Sequence, residues 1–427
     1  MFLKPLWKPI VHRAVSGRWR RFHMRPMEPP QPEGLSQAGL YLHVPFCRSL
    51  CPFCPYNRVE YDERAFARYE RAVLQEVDLY APSLRNSQIT SLYVGGGTPT
   101  VNPAGLVRIL EAFRGAFHLD GDVCVELHPA CMDEECLAAL RRAGVTMASI
   151  GVESTSDRLL RKIGRSHNGA EALNAVERAV AAGFDSVNVD LMFALPGQTL
   201  EEWETDLKRV LEVGIDQLST YPLFSFPYSE LGRTQGLRAV QRPNGKLIRR
   251  MLALTNELAR AHGLQRCAVW SWLRARKKKF SSITRHYYVG FGPSAASMTR
   301  THFYVNTFDV EAYAARLPER RPIALAMPID ERLEMAYWLY WRVYELEATE
   351  KGFQTLFGPG ASLSRAFGRL LKPCEFLGLA ERRNGGYRIT ESGAYWIHRL
   401  QNEYSLNYIN RLWGACRRLA WPKEAIL

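Results

Sequence analysis

The chain has 427 residues, 47% of them hydrophobic, a net charge of +13 and nine cysteines. That length fits one large catalytic domain with smaller pieces, and no run of about 18 apolar residues marks a membrane-crossing helix. An odd cysteine count, with no apolar leader core at the start, excludes a disulfide scaffold and speaks for a reducing, cytoplasmic setting where thiols bind metal.

The first 27 residues carry seven Lys or Arg and no acid, more than half of the net charge. Val11, Val15, Trp19 and Phe22 recur at helical spacing there, which predicts a basic interfacial helix in peripheral contact with the inner face of a membrane. A solvated arm is the alternative. The proline-rich run RPMEPPQPEG predicts a linker, so residues 1–34 read as arm plus linker.

Strand and helix patterns then alternate. Strands are predicted at 39–46, 89–97, 122–129, 146–154, 186–196 and 217–224, with amphipathic helices between them, as at 62–81, 102–117 and 199–214. Near-continuous apolar strands with crossover helices predict an α/β fold with a parallel sheet, an incomplete barrel of six β/α units over 35–262. Ligands of such folds gather at the carboxyl ends of the strands. Residues 263–329 read as a basic, glycine-containing connector that completes the active site. Residues 330–427 read as helices ending in a winged-helix-like α+β domain, its hairpin turning at NGG (384–386). Winged modules cover substrates or pack as well as read DNA, and no nucleic-acid partner is expected. At the chain end Leu406, Ile409, Leu412, Cys416 and Leu419 recur at helical spacing beside Arg411, Arg417 and Arg418; the helix is read as a second surface contact or as packing on the barrel.

The strongest chemical signal is CRSLCPFC, directly after the first predicted strand. Cys47, Cys51 and Cys54 are three thiols in eight positions, where a closed zinc site wants four ligands. Three thiolates suit an iron–sulfur cluster with one iron left open for a ligand. The turn GGGTPT follows the second strand, and its glycines let backbone approach a ligand closely. It lacks the Lys-Ser/Thr ending of a nucleotide-binding loop. Glu126, Glu153 and Asp190 fall within apolar strands, where an unpartnered carboxylate is costly. One alone would read as a structural ion pair; three on successive strand ends predict a shared polar ligand. Arg165 suits a ligand carboxylate, or an ion pair with a neighbouring helix.

Taken in order, HVPFC, CRSLCPFC, GGGTPT, GVES, GRSH and VDLMFALPGQT resemble the radical S-adenosylmethionine (SAM) superfamily, in its HemN-like branch, over about residues 39 to 300. The branch includes oxygen-independent coproporphyrinogen III oxidases, haem chaperones, haem-degrading enzymes and class C methyltransferases. The resemblance implies a radical SAM partial (β/α)6 barrel. It implies that Cys47, Cys51 and Cys54 hold a [4Fe–4S] cluster, whose fourth iron binds SAM and whose electron releases a 5′-deoxyadenosyl radical. By motif, Tyr41, Gly96 and Glu126 would contact this SAM and Ala296 would line its adenine. Phe53, Gly97, Thr98, Glu153, Arg165, Asp190 and Phe224 stand where the branch contacts a second SAM.

The chain departs from the branch at three places. Tyr56 replaces a fourth cysteine of the oxidases, Glu153 replaces a glutamine, and TRHYYVGFG stands where the chaperones carry His-Asn-x-x-Tyr-Trp. The leading expectation is therefore class C methyl or methylene transfer to an sp2 carbon of an aromatic or conjugated small molecule, such as a quinone. The alternatives are a coproporphyrinogen oxidase or haem-modifying enzyme on a tetrapyrrole, and a HemW-like haem chaperone. A flavodoxin or ferredoxin is the expected electron donor.

Overall fold

The computed structural model describes residues 13, 21–224, 226, 228–230, 244–281, 285–383, 385–400 and 406–427; Val11, Val15 and Trp19 of the predicted interfacial helix lie outside these. All six predicted strands form: β1 (Gln37–Val44), β2 (Gln88–Gly96), β3 (Leu119–Leu127), β4 (Met147–Glu153), β5 (Ser186–Phe193) and β6 (Gln217–Pro222). Each pairs in parallel with the next, and the helices between them pack on one side. Helix α1 (Glu63–Leu84) starts where the Asp62 carboxylate accepts from the Ala65 N–H at 2.8 Å. It buries Phe66, Tyr69, Val73, Val77 and Tyr80 along one face. Helices α2 (Pro103–Ala116), α3 (Glu134–Arg142), α4 (Gly169–Ala181) and α5 (Leu200–Glu212) follow the same plan, each with a side-chain N-cap. The main core lies between these helices and the strands and includes Leu40, Leu92, Val125, Ile150, Val189 and Trp203.

The connector expected at 263–329 is part of the same sheet. It supplies β7 (Leu264–Ala268), β8 (Ser271–Arg274), β9 (Tyr288–Phe291), β10 (Ala296–Met298), β11 (His302–Asn306) and β12 (Ile323–Pro328). The twelve strands run in the order β7-β8-β6-β5-β4-β3-β2-β1-β9-β10-β11-β12. Only β9, beside β1, adds to the parallel set; the other five pair antiparallel. Strands of three to six residues, interrupted by Gly, Lys and Arg, are too short to show a period-two signal.

A second core, around Trp338, Leu339, Phe353, Phe367, Leu371 and Tyr387, holds the C-terminal module. It comprises helices α6 (Glu331–Tyr344), α7 (Glu350–Phe357), α8 (Leu363–Phe376) and α9 (Glu391–Leu400) and a three-stranded sheet, in which Glu347–Thr349 and Ala380–Arg383 flank Gly386–Ile389. The hairpin turns at the predicted place, giving a winged-helix-like arrangement. Residues 406–427 leave this module. Helix α10 (Leu406–Cys416) buries Leu412, Ala415 and Cys416 against Val305, Phe308 and Leu325, while Leu419 is exposed. The last strand, Ala425–Ile426, pairs with His23–Met24. The predicted linker is likewise tied down, since Arg321 donates to Glu28 Oε1 at 2.6 Å and to the carbonyl of Pro29. None of the described helices is long and apolar enough to cross a membrane.

The fully buried Glu76 on α1 joins the helix layer to the far end of the same sheet. It accepts from the Tyr313 hydroxyl (2.6 Å), the Asn306 amide (2.8 Å) and the Gly292 N–H (2.8 Å), and burial pushes its carboxyl up to about 7. Glu76→Ala removes the acceptor of the Tyr313 hydroxyl and the Gly292 N–H and one of the two acceptors of the Asn306 amide, and should lower stability by about 3 kcal/mol. The midpoint of urea unfolding reads this; an unchanged midpoint would show that the contact contributes nothing.

Candidate active site

A cavity of ≈ 370 Å³ opens at the carboxyl ends of the parallel strands. The cysteine loop forms one part of its wall. Phe46–Cys47 pairs with Val59–Glu60, so the loop leaves and re-enters along neighbouring backbone. His43 anchors its base. The Tyr41 hydroxyl meets His43 Nδ1 at 2.8 Å, and His43 Nε2 meets the Asn57 carbonyl at 2.7 Å. Burial pulls this imidazole down to about 4, so it stays neutral and acts as a strut. Arg58 donates to the carbonyls of Cys51 and Cys54, the latter at 3.1 Å. Arg417, from the residues after α10, donates to the Pro55 carbonyl at 2.7 Å.

Cys47, Cys51 and Cys54 all line the cavity. Among the described residues, no three His, Cys, Asp or Glu side chains come together to hold a single ion. The thiols border one shared space instead, which fits a multi-iron cluster. Burial raises the Cys47 thiol and pushes Cys54 up to about 11. Thiolates there need a strong electrophile, and iron is one. Thr98 Oγ1 lies 3.6 Å from Cys47 Sγ, and Arg165 Nη1 lies 3.7 Å from Cys51 Sγ.

The glycine turn supplies the second part. A Cβ on Gly97 would stand 2.7 Å from the Phe46 carbonyl and 2.9 Å from Cys47 Sγ, and one on Gly95 would stand 2.7 Å from a Glu126 oxygen. Gly96 has φ +119°, and its N–H donates to Glu126 Oε2 at 3.1 Å. The Tyr93 hydroxyl donates to Glu126 Oε1 at 2.6 Å. The residues fit a [4Fe–4S] cluster with SAM beside it: three thiols on one space, a backbone cradle that a side chain would fill, and a buried carboxylate.

The third part is polar and deeply placed. Ser149 and Asn188 donate to the two oxygens of Asp190 at 2.9 and 3.0 Å, and Ser219 donates to Asn188 Oδ1 at 2.9 Å. A register shift between Gly151 and Glu153 in the β4–β5 ladder accompanies the backbone of Glu153, which sits at φ 68°. Its Oε2 accepts from the Tyr221 hydroxyl at 2.7 Å. Arg165 Nη2 donates to the Gly151 carbonyl, and its buried Nε has no partner among the described residues. Burial raises all three carboxyls; Asp190, with Glu153 beside it, is pushed up to about 7.

Thus Phe53, Gly96, Gly97, Thr98, Glu126, Glu153, Arg165, Asp190 and Phe224 meet around one cavity with the three cysteines. Two residues expected there do not line it. Tyr41 stands behind, its ring 6.1 Å from Tyr93. Ala296 pairs with Val305 in the β10–β11 ladder and packs on the apolar cluster around Met24 and Leu325. Residues missed from the sequence include Arg58, Tyr93, Ser149, Asn188, Ser219, Tyr221 and Trp270. Polar residues two apart in apolar strands, as Asn188 with Asp190 and Ser219 with Tyr221, share a face and could have revealed several of them.

The Radical SAM superfamily pattern matches residues 41–210. The heme chaperone HemW of Bacillus subtilis is 26% identical over 363 residues, covering 83% of this chain and 95% of its own. That of Mycobacterium tuberculosis is 30% identical over 261 residues, covering 59% of this chain and 67% of its own. The solved structure of HemN, a radical SAM coproporphyrinogen III oxidase from Escherichia coli, superposes with a TM-score of 0.74 at 22% identity, covering 92% of this chain and 93% of that one. The chain belongs to the radical SAM superfamily, in its HemN-like branch. Its fold is the radical SAM partial (β/α)6 barrel with a C-terminal winged-helix-like module, and its family uses a [4Fe–4S] cluster and SAM. None of these names speaks of methyl transfer, the leading expectation from the sequence.

Alanine in place of Cys47, Cys51 and Cys54 should abolish bound iron in anaerobically reconstituted protein, against about four irons per chain in the wild type. Full iron content in the triple variant would sink the assignment. Gly97→Ala, which forces a methyl group against backbone and Cys47, should reduce iron content with the three cysteines intact.

Proposed function

We propose that this protein is a radical SAM enzyme that modifies a tetrapyrrole. The observation that carries it is a single cavity joining three thiols, the glycine turn with Glu126, and an aromatic wall of Phe224, Phe226, Trp270, Phe280 and Tyr344. Thiols and carboxylates suit a cluster and a cationic cofactor, and the aromatic wall suits a flat conjugated ring. When bound, the cluster supplies the electron that splits SAM, delivered in this reading by a flavodoxin or ferredoxin. The protein's part is to hold SAM through the turn and Glu126, and to fix the substrate against the wall. The relatives that handle haem or coproporphyrinogen support a tetrapyrrole over a quinone.

One observation favours a second reading, a haem chaperone: the similarity to HemW of B. subtilis spans most of both chains. Against it, His286 of TRHYYVGFG is held 3.3 Å from Glu334 and packed by Tyr287 and Tyr337.

Reduced, cluster-loaded protein should be incubated anaerobically with SAM and either coproporphyrinogen III or haem, and the products weighed by mass spectrometry. The expected result is 5′-deoxyadenosine together with an altered tetrapyrrole. Deoxyadenosine with both tetrapyrroles unchanged would remove the substrate reading, and S-adenosylhomocysteine in turnover with a conjugated quinone would restore methyl transfer. No deoxyadenosine under any reductant, with stoichiometric haem binding, would establish the chaperone.

A second SAM belongs to the same proposal. Arg165 would face its carboxylate, and Asp190 and Glu153 its ammonium group. Equilibrium dialysis should count two SAM per cluster-loaded chain, and one after Arg165→Ala. A count of one in the wild type removes the second site.

A further inference from the structure

Trp270 sits in the turn between β7 and β8, and no sequence motif marks it. It lines the cavity and is only partly buried. Its backbone is fixed from two sides. The Thr220 N–H on β6 donates to the Trp270 carbonyl at 2.7 Å, and the N–H of the preceding Val269 donates to the Tyr344 carbonyl, at the end of α6, at 2.9 Å. Its one polar atom is fixed from a third. Indole Nε1–H donates to His398 Nδ1 at 3.0 Å, and His398 belongs to α9 of the C-terminal module and is buried. Phe224 lies 5.3 Å from the indole, tilted, and Tyr344 lies 5.8 Å away, edge-on.

A large aromatic ring whose polar edge is satisfied inside the protein offers the cavity apolar surface and no free donor. Its orientation is set by a residue from another module, so little ordering is left to be done when a ligand arrives. The carboxylates and thiols cluster on the strand ends and the cysteine loop, whereas Phe224, Trp270 and Tyr344 come from segments after β6. The two kinds of surface suit two kinds of ligand.

We infer that Trp270 is the residue on which the flat conjugated substrate stacks, and that His398 is a positioning residue that holds the indole for it. This rests on the tetrapyrrole reading above and names the protein surface that selects the ring. Stacking on an aromatic side chain is worth about 1 to 3 kcal/mol, so its removal should be plainly measurable.

The test uses full-length, cluster-loaded protein, with coproporphyrin III and SAM titrated separately. Trp270→Ala should weaken coproporphyrin III binding roughly tenfold or more while SAM affinity stays within about twofold, and Trp270→Phe should retain most of the binding. In turnover with haem, His398→Leu should raise KM with kcat little changed, and His398→Asn, which keeps an acceptor, should restore KM. Iron content serves as the folding control; where Trp270→Ala does not load iron, the His398 pair decides. Unchanged porphyrin affinity in Trp270→Ala, or equal KM in the His398→Leu and His398→Asn variants, overturns the inference alone. Loss of SAM binding with porphyrin binding intact would reassign Trp270 to the cofactor and overturn it too. Wild-type protein that neither binds nor alters a tetrapyrrole sinks the substrate reading, and the inference with it.

Discussion

Between Cys47 and Glu126 the chain has room for backbone and little else. Gly97 lies against the cysteine loop and Gly95 against the Glu126 carboxylate, and at each a methyl group would come within 3 Å of its neighbour. The turn can therefore touch the thiols on one side and the carboxylate on the other. Other features of the site follow from that contact. The Gly97 and Thr98 N–H groups donate to the Val44 and Phe46 carbonyls at 2.8 Å, so the glycine turn and the cysteine loop are one hydrogen-bonded unit. Cys47, Cys51 and Cys54 would hold a cluster on the same cavity that the Gly96–Glu126 pair borders, so that pair would be in place to contact a ligand there.

Burying Glu126, Glu153 and Asp190 near one another opposes folding, since burial raises all three carboxyls and a neighbouring carboxylate raises Glu126 and Asp190 further. Hydrogen bonds from Tyr93, Tyr221, Ser149 and Asn188 offset part of that cost. The remainder is what a cationic ligand would recover on binding, because a sulfonium or ammonium group stabilises the ionised forms. Arg165 is a buried counter-charge, and its Nε, without a partner among the described residues, leaves it donor capacity for an anionic group. Polar residues that the fold alone does not need, held at a cost, mark this region as built for its ligand.

Much of this was legible in the sequence because the signals were local. Each predicted strand between 39 and 224 formed, since apolar runs of that length bounded by capped helices have few other solutions. The cysteine spacing and the glycine turn located the cavity, because both act through backbone geometry within a few residues. What stayed hidden depends on distant partners. Trp270 looks like any core tryptophan until β7 and β8 bring it beside Tyr344 and His398. Ala296 was expected near the cofactor from the motif resemblance alone; in the fold it pairs with Val305 and packs on the apolar cluster around Met24 and Leu325. The helix 406–416 had the period of a surface helix, and nothing local says that its apolar face meets Val305 and Leu325.

That returning chain end explains how a loop with little secondary structure of its own is held. Backbone carbonyls of a cluster loop must find donors, and few ladder partners are at hand. Arg58 serves those of Cys51 and Cys54 from within the loop, but Pro55 depends on Arg417, more than 360 positions away. Trp413 adds ring contacts with Tyr56 at 5.9 Å and with Phe226 at 6.5 Å. The final residues thus brace the segment in which Tyr56 stands in place of a cysteine, while the preceding module sets Trp270 through His398. Both contributions act on residues that line the cavity. From the C-terminal third Tyr344 reaches the cavity itself, and His398, Trp413 and Arg417 support the cavity-lining residues Trp270, Tyr56, Phe226 and Pro55 from behind.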